Sequence, residues 1–204
     1  ALAETFIRDH GASPSFKGYR GFPWSLCISV NDVVVHGMPS DYIIKEGDLI
    51  SVDCGVYKNG YHGDSAYTFQ VGGVSAEAMA LCKVTRECLE LAVNAARSGG
   101  RVGDISQAVQ QHAESHGYGV VRELVGHGIG KNLHEKPEVP NFGKKGQGPL
   151  LQAGMVIAIE PMINMGNRQV VQDRDGWTIR TRDRKPSAHY EHTVAIDNEG
   201  PLVL

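Results

Sequence analysis

Four acidic residues stand against apolar runs of this sequence. Asp53 interrupts Leu49-Ile-Ser-Val-Asp53-Cys-Gly-Val56, and Asp64 lies in the β-forming stretch that follows. Glu160 ends Met155-Val-Ile-Ala-Ile-Glu160, and Glu191 precedes His192-Thr-Val-Ala-Ile196. A fifth residue, His127, sits in Gly126-His127-Gly128-Ile129-Gly130, where flanking glycines are expected to let the backbone turn tightly and leave the imidazole accessible. An unpaired carboxylate taken out of water is costly, so something must compensate it. One hairpin suggests what. Leu49 to Tyr57 and Tyr61 to Val71 flank Asn59-Gly60, the preferred type I′ pair, and a two-residue loop sets Lys58 opposite Tyr61 and Asp53 opposite Ala66. Because side chains alternate along a strand, Asp53 and Asp64 then become diagonal neighbours on one face, roughly 7–8 Å apart at the backbone. A three-residue loop would put them on opposite faces. Singly, each residue has a bland reading: a hydrogen-bonded Asp, a turn carboxylate, two strand ends facing water, a loop His. Together, four carboxylates and one imidazole are too rich in oxygen for a structural zinc site and fit a hydrolytic centre of two metal ions with bridging carboxylates.

The elements that must hold these residues are legible in outline. A helical opening, Ala1 to Arg8, stops near Gly11, and a loop of Gly, Pro and aromatic residues runs to Pro23. Leu26 to Val30 and Val33 to Val35, separated by Asn31-Asp32, give a second hairpin signal. A helix from Ser75 to Ser98, with Ser75 as N-cap and Met79, Cys82, Leu89 and Val93 on its apolar face, is stopped by Gly99-Gly100. Another spans Gly103 to His116 and ends at Gly117. Gly119 to Val125 reads as a strand and Lys136 to Gly148 as a long surface loop. Met155 to Glu160, Gln169 to Gln172, Trp177 to Thr181 and His192 to Ile196 read as short strands, with Asp175-Gly176 as a turn. Strands, then helices, then strands again indicate an α+β class, and 204 residues accommodate one domain.

Composition narrows the function. A net charge of −3 gives no electrostatic footprint for binding a phosphate backbone, and the basic run Arg180, Arg182, Arg184 and Lys185 reads as a solvated hairpin. No stretch approaches the roughly 20 apolar residues of a membrane span. The cysteines lack any C-x-x-C pairing; Cys54, Cys82 and Cys88 read as buried free thiols. With no secretory signal visible, a reducing cytoplasm is expected. The chain opens without Met inside a helix-like stretch, and upstream residues are expected to precede it.

The motifs Cys27-Ile-Ser-Val-Asn31, His36-Gly-Met-Pro39, Val52-Asp53-Cys-Gly55, Gly60-Tyr-His-Gly-Asp64, Gly126-His-Gly-Ile-Gly130, Leu133-His-Glu135, Ile159-Glu-Pro-Met162 and Tyr190-Glu-His-Thr193 resemble those of the type I methionine aminopeptidases, metallopeptidases of M24 type. The resemblance covers essentially the whole chain. It implies the pita-bread fold: a curved antiparallel sheet with helices on its outer face and pseudo-two-fold halves. It also implies a reaction, in which a metal-bound hydroxide attacks the first peptide bond and releases the N-terminal methionine of a nascent polypeptide, with a small second residue favoured. Asp64 and Glu191 would bridge two divalent ions, Asp53 completing one site and His127 with Glu160 the other. Iron, manganese, cobalt and zinc all suit such mixed O/N ligands. Glu160 would act as general base, His134 would polarise the scissile carbonyl, and His36 would contact the substrate near its amine or scissile amide. Tyr19, Phe22, Cys27, Leu133 and Trp177 would form the methionine pocket. Phe16 replaces a frequent Cys and Leu133 a frequent Phe, which bears on the pocket's shape. Prolidases on the same fold usually carry a further His four residues before the ligand His, where this chain has Glu123. Non-catalytic relatives kept as binding modules typically lose metal ligands, and all five positions are filled here. A monomer is expected, with its peptide substrate and a transient contact with the ribosome as partners.

Overall fold

The computed structural model describes all 204 residues and follows the expected succession of strands, helices and strands. The first part contains α1 (Leu2–Asp9), β1 (Ser13–Pro14), β2 (Cys27–Val30), β3 (Val33–Val35) and the long hairpin of β4 (Leu49–Lys58) and β5 (Tyr61–Gln70). Two helices follow, α2 (Ala76–Ala95) and α3 (Val102–Ser115). The remainder is β6 (Gly119–Val120), β7 (Gly126–Gly128), β8 (Glu135–Val139), β9 (Val156–Ile159), β10 (Met162–Asn164), β11 (Val170–Gln172), β12 (Ile179–Thr181), β13 (Ser187–His189), β14 (His192–Ile196) and β15 (Pro201–Val203). All pairings are antiparallel. They make four small sheets, ordered β1-β4-β2 with β5 on β4, β13-β10-β6, β11-β12-β3 and β15-β14-β9-β7-β8.

The helices supply the cover that makes this β-structure rigid. Ser75 caps α2, its Oγ accepting from Ala78 N–H at 3.1 Å, and residues at helical spacing (Leu81, Cys88, Leu89 and Ala92) face inward. They join Ile105 and Val109 of α3 and Ile157, Ile159, Val194 and Ile196 of β9 and β14 in one apolar core. Each fully buried Leu or Ile side chain contributes roughly 1.5–3 kcal/mol, so one face of β9 and β14 is fixed against helices. Strand alternation turns Ala158 and Glu160, and Glu191 and Thr193, the other way.

Several expectations are corrected. The Leu26 to Val35 segment is no paired hairpin: β2 pairs with β4, whereas β3 pairs with β12 in another sheet. Asn31, at φ 53°, diverts the chain there, its N–H donating to Leu49 O and its Oδ1 accepting from Leu49 N–H. Of Gly119 to Val125 only the first two residues form a strand, because the partner β10 offers a three-residue ladder. The expected loop from Lys136 contains most of β8, which tolerates Pro137 because it lies at a sheet edge. Besides β7 and β8, the short strands β1, β10, β13 and β15 escape the sequence patterns, none of these four being longer than three residues. Met79 is 49 % exposed, outside the apolar face of α2. Cys54 is only partly buried. Arg180 is no freely solvated cation, since β12 ties it to Asp32 at 2.9 Å and to Asp173.

Candidate metal centre and substrate cavity

Asn59 and Gly60 take φ values of 52° and 90°, the pair a type I′ turn requires. The ladder accordingly pairs Lys58 with Tyr61, Asp53 with Ala66 and Gly55 with Asp64. The loop is even, and the two aspartates share a face. On its other side β4 pairs Asp53 with Cys27. An isolated bridge joins Ala66 to Glu191, with Glu191 N–H donating to Ala66 O at 2.9 Å. Thr193 secures the same junction: its Oγ1 accepts from Asp64 N–H at 2.8 Å and donates to Asp64 O at 2.7 Å. The β14–β9 ladder pairs His192 with Ile159, so its continuation by one pair sets Glu191 opposite Glu160. His127 lies opposite Ala158 on the far side of β9. Strand register thus gathers all five predicted residues. Asp64, His127 and Glu191 each bring a ligand atom within 4.8 Å of the others, His127 Nε2 is 3.7 Å from Glu160 Oε1, and Asp53 lines the same cavity.

The glycines beside His127 have another purpose than the expected one. Gly126 and Gly128 lie in β7, not in a tight turn, and His127 is buried. A Cβ on Gly126 would stand 2.4 Å from Ala158 O, and one on Gly128 2.3 Å from Lys136 O. Glycine lets the strands on both sides approach. His127 Nδ1 donates to Gly128 O at 2.9 Å, since a carbonyl only accepts, and this leaves the lone pair of the neutral ring on Nε2, facing the carboxylates.

Burial raises Asp53, Glu160 and Glu191 well above the ordinary carboxylate range, and neighbouring Asp64 pushes each further. Burial also lifts Asp64 to about 7 and lowers His127 below the usual imidazole value. Asp53 Oδ1 and Glu191 Oε1 are buried without any hydrogen-bond partner. Crowded carboxyls that resist ionising together, orphaned oxygens and a free imidazole lone pair are a donor set that a divalent cation satisfies. The residues fit the metal that the sequence motifs imply.

The other predicted residues meet in the same cavity, of about 180 Å³. Phe22, Cys27 and Leu133 are buried in a small apolar cluster with Phe16 and Ile129, and Trp177 meets Phe22 edge to face at 5.1 Å. Tyr19 is more than an apolar wall, because its Oη lies 2.8 Å from His134 Nδ1. His134 stands at the mouth, its ring 4.2 Å from that of His127. The walls around it, followed by the neighbouring His127, take it down to about 4, so it is neutral near pH 7. His36 also lines the cavity, in a left-handed conformation at φ 57°, an uncommon backbone state held by its surroundings. Sequence reasoning missed two residues. Arg20 lines the cavity with its guanidinium 5.4 Å from the Tyr19 ring centre; its signal was Gly18 and Gly21 bracketing Tyr19-Arg20. His189 is buried beside Glu160 and Glu191, and its place two residues before Glu191 on a strand was the available clue.

Residues 1–198 match the family described as Metallopeptidase family M24. The chain is 56 % identical over 203 residues to the methionine aminopeptidase of Clostridium perfringens, covering all of this chain and 82 % of that protein. It superimposes on the crystal structure of methionine aminopeptidase from Thermotoga maritima with a TM-score of 0.97 at 43 % identity, covering 99 % of this chain and 82 % of that one. The prolidase of Pyrococcus furiosus shares the fold at a TM-score of 0.78 and 25 % identity, over 99 % of this chain and 52 % of that one. Identity and superposition thus both set the chain nearer to that methionine aminopeptidase than to that prolidase. With this pita-bread architecture and a donor set suited to divalent cations, the chain belongs to metallopeptidase family M24, among the methionine aminopeptidases, and is a hydrolase.

Proposed function

We propose that this chain removes an N-terminal methionine by hydrolysing the first peptide bond, with Asp53, Asp64, His127, Glu160 and Glu191 holding two divalent ions. The observation that carries the reading is one cavity uniting those five residues with an apolar pocket and two further histidines. When bound, the ions supply Lewis acidity and bring a water toward ionisation near neutral pH. Asp64 and Glu191 meet at the junction of the two halves of the chain, which supports their serving both ions. Glu160, raised by burial, suits uptake and redelivery of a proton. With its Nδ1 held by Tyr19, His134 turns Nε2 toward the scissile carbonyl, where it donates as a neutral ring. His36 contacts the substrate near its amine or scissile amide. Phe22, Cys27, Leu133 and Trp177, with the ring of Tyr19, surround the thioether, to which aromatic contacts are favourable.

The same reading takes nascent chains with a small second residue as substrates, and a monomer in the cytoplasm, in transient contact with ribosomes, as the working form. Iron, manganese, cobalt or zinc suits the donors. The test is release of methionine from Met-Gly and Met-Ala peptides by chelator-stripped protein reloaded with Mn²⁺ or Co²⁺. Turnover that requires added metal is expected. Bound metal without turnover would overturn the reading, and a preference for a peptide bond preceding proline would redirect it to prolidase chemistry.

A further inference from the structure

His189 has no task in that reaction, yet it is built into the floor beneath the carboxylates. It ends β13 opposite Met162 and is 1 % exposed. Thr68 clamps its backbone, Oγ1 accepting from the N–H at 2.9 Å and donating to the C=O at 2.8 Å. The imidazole held in this way has no hydrogen bond at either nitrogen, although leaving a buried polar group unpaired costs about 1–3 kcal/mol. Its Nε2 lies 3.9 Å from Glu160 Oε2 and 4.0 Å from Glu191 Oε2, almost midway between carboxylates of two different segments. Glu160 directs its other oxygen, Oε1, toward His127 Nε2. One oxygen of that carboxylate faces a predicted ligand and the other faces His189.

We infer that His189 is a positioning residue for the metal centre: once ions are held, its Nε2–H closes on the outer oxygens of Glu160 and Glu191, now 3.9 and 4.0 Å away, and so keeps their inner oxygens turned toward the ions. The inference rests on the proposed metal function. An ionised carboxylate only accepts, so the proton of the neutral ring belongs on Nε2, and this excludes that atom as a sixth ligand. The site then has the arrangement in which a fixed outer partner orients a ligating carboxylate, and losing such a partner weakens metal binding about 10–100-fold.

The test titrates the full, chelator-stripped chain with Co²⁺, followed by calorimetry and by visible absorption of the bound ion, in the parent, His189→Leu and His189→Gln. Leucine should weaken Co²⁺ binding about 10–100-fold and alter the absorption bands. Glutamine, which keeps an N–H donor, should restore most of both. Unchanged affinity and spectrum in His189→Leu would overturn the inference, whereas failure of the parent to bind Co²⁺ would overturn the metal reading beneath it. Should the leucine variant not fold, nitrogen chemical shifts of ¹⁵N-labelled histidine in the unaltered protein decide the matter. A protonated Nε2 with a bare Nδ1, with and without Zn²⁺, is expected; a protonated Nδ1 or a metal-bound Nε2 would overturn it.

Discussion

Replacing Asp64 by Asn should stabilise the metal-free protein while weakening the metal-loaded one, an opposition that follows from the crowding of carboxyls. Burial holds Asp64 at about 7, against an ordinary value of 3.8. Below about pH 4 folded and unfolded chains both carry the proton, and the group costs nothing. As the pH rises, the unfolded chain ionises first, and stability falls by ~1.4 kcal/mol per pH unit until the folded group ionises too, a loss of about 4 kcal/mol above pH 7. Asparagine escapes this loss and keeps an oxygen to accept from Ser65 N–H, now bonded to Oδ1 at 3.1 Å. Water entering the open cavity reduces the effect, so a gain of about 2–4 kcal/mol is expected at pH 8. With a urea dependence of about 2 kcal/mol per molar, the unfolding midpoint of chelated Asp64→Asn should exceed that of the chelated parent by about 1–2 M. At pH 5 the gap should shrink to about a third, since the parent has regained most of the proton. Added Mn²⁺ should reverse the order: a ligand at a thousand times its dissociation constant adds about 4.1 kcal/mol to the parent, more than the variant's gain, and the variant binds more weakly. The measurement is urea unfolding at pH 5 and pH 8, with chelator and with metal. Equal midpoints for the two chelated proteins at pH 8, or a parent midpoint that does not change between the two pH values, would refute the reasoning.

Three further outcomes are expected. Glu191→Ala should abolish turnover and loosen both ions, and a near-normal rate with full metal content, measured by elemental analysis, would rule out a shared ligand. His134→Ala should lower kcat about 10²–10³-fold while leaving metal stoichiometry intact; loss of both ions from that variant would contradict its proposed role as a donor to the carbonyl. Gly128→Ala sets a Cβ 2.3 Å from Lys136 O, forcing β7 and β8 apart at a cost of about 1–3 kcal/mol. A thermal midpoint unchanged from the parent's would show that this sheet edge yields freely.

Much of the site was legible because its signals are local. Asn59-Gly60 sets an even turn, the even turn sets the parity of Asp53 and Asp64, and period-two alternation does the rest. The α2 cap at Ser75 was equally readable, since a cap is chemistry within one turn of helix. The carboxylates Glu160 and Glu191 declared themselves only as anomalies. The motif resemblance joined them to the others, and it also singled out His36 and His134, which nothing local distinguishes from surface histidines.

Tertiary structure decided what depends on segments distant in sequence. That β2 and β3 leave Asn31 for different sheets follows from the partners they find, β4 and β12, and no pattern within the segment encodes a partner. Gly126 and Gly128 suggested a turn because glycine reports only the lack of a side chain; the approach of Ala158 and Lys136 shows which neighbour required it. His189 was an ordinary strand residue until folding brought Glu160 and Glu191 to either side of its Nε2. By itself the sequence determined which residue types could serve as ligands and the face that Asp53 and Asp64 share, since residue identity and alternation suffice for that. Only the fold could bring Glu191 to Ala66 and so gather the five candidate donors in one cavity, because that contact depends on core packing between halves of the chain that share no local geometry.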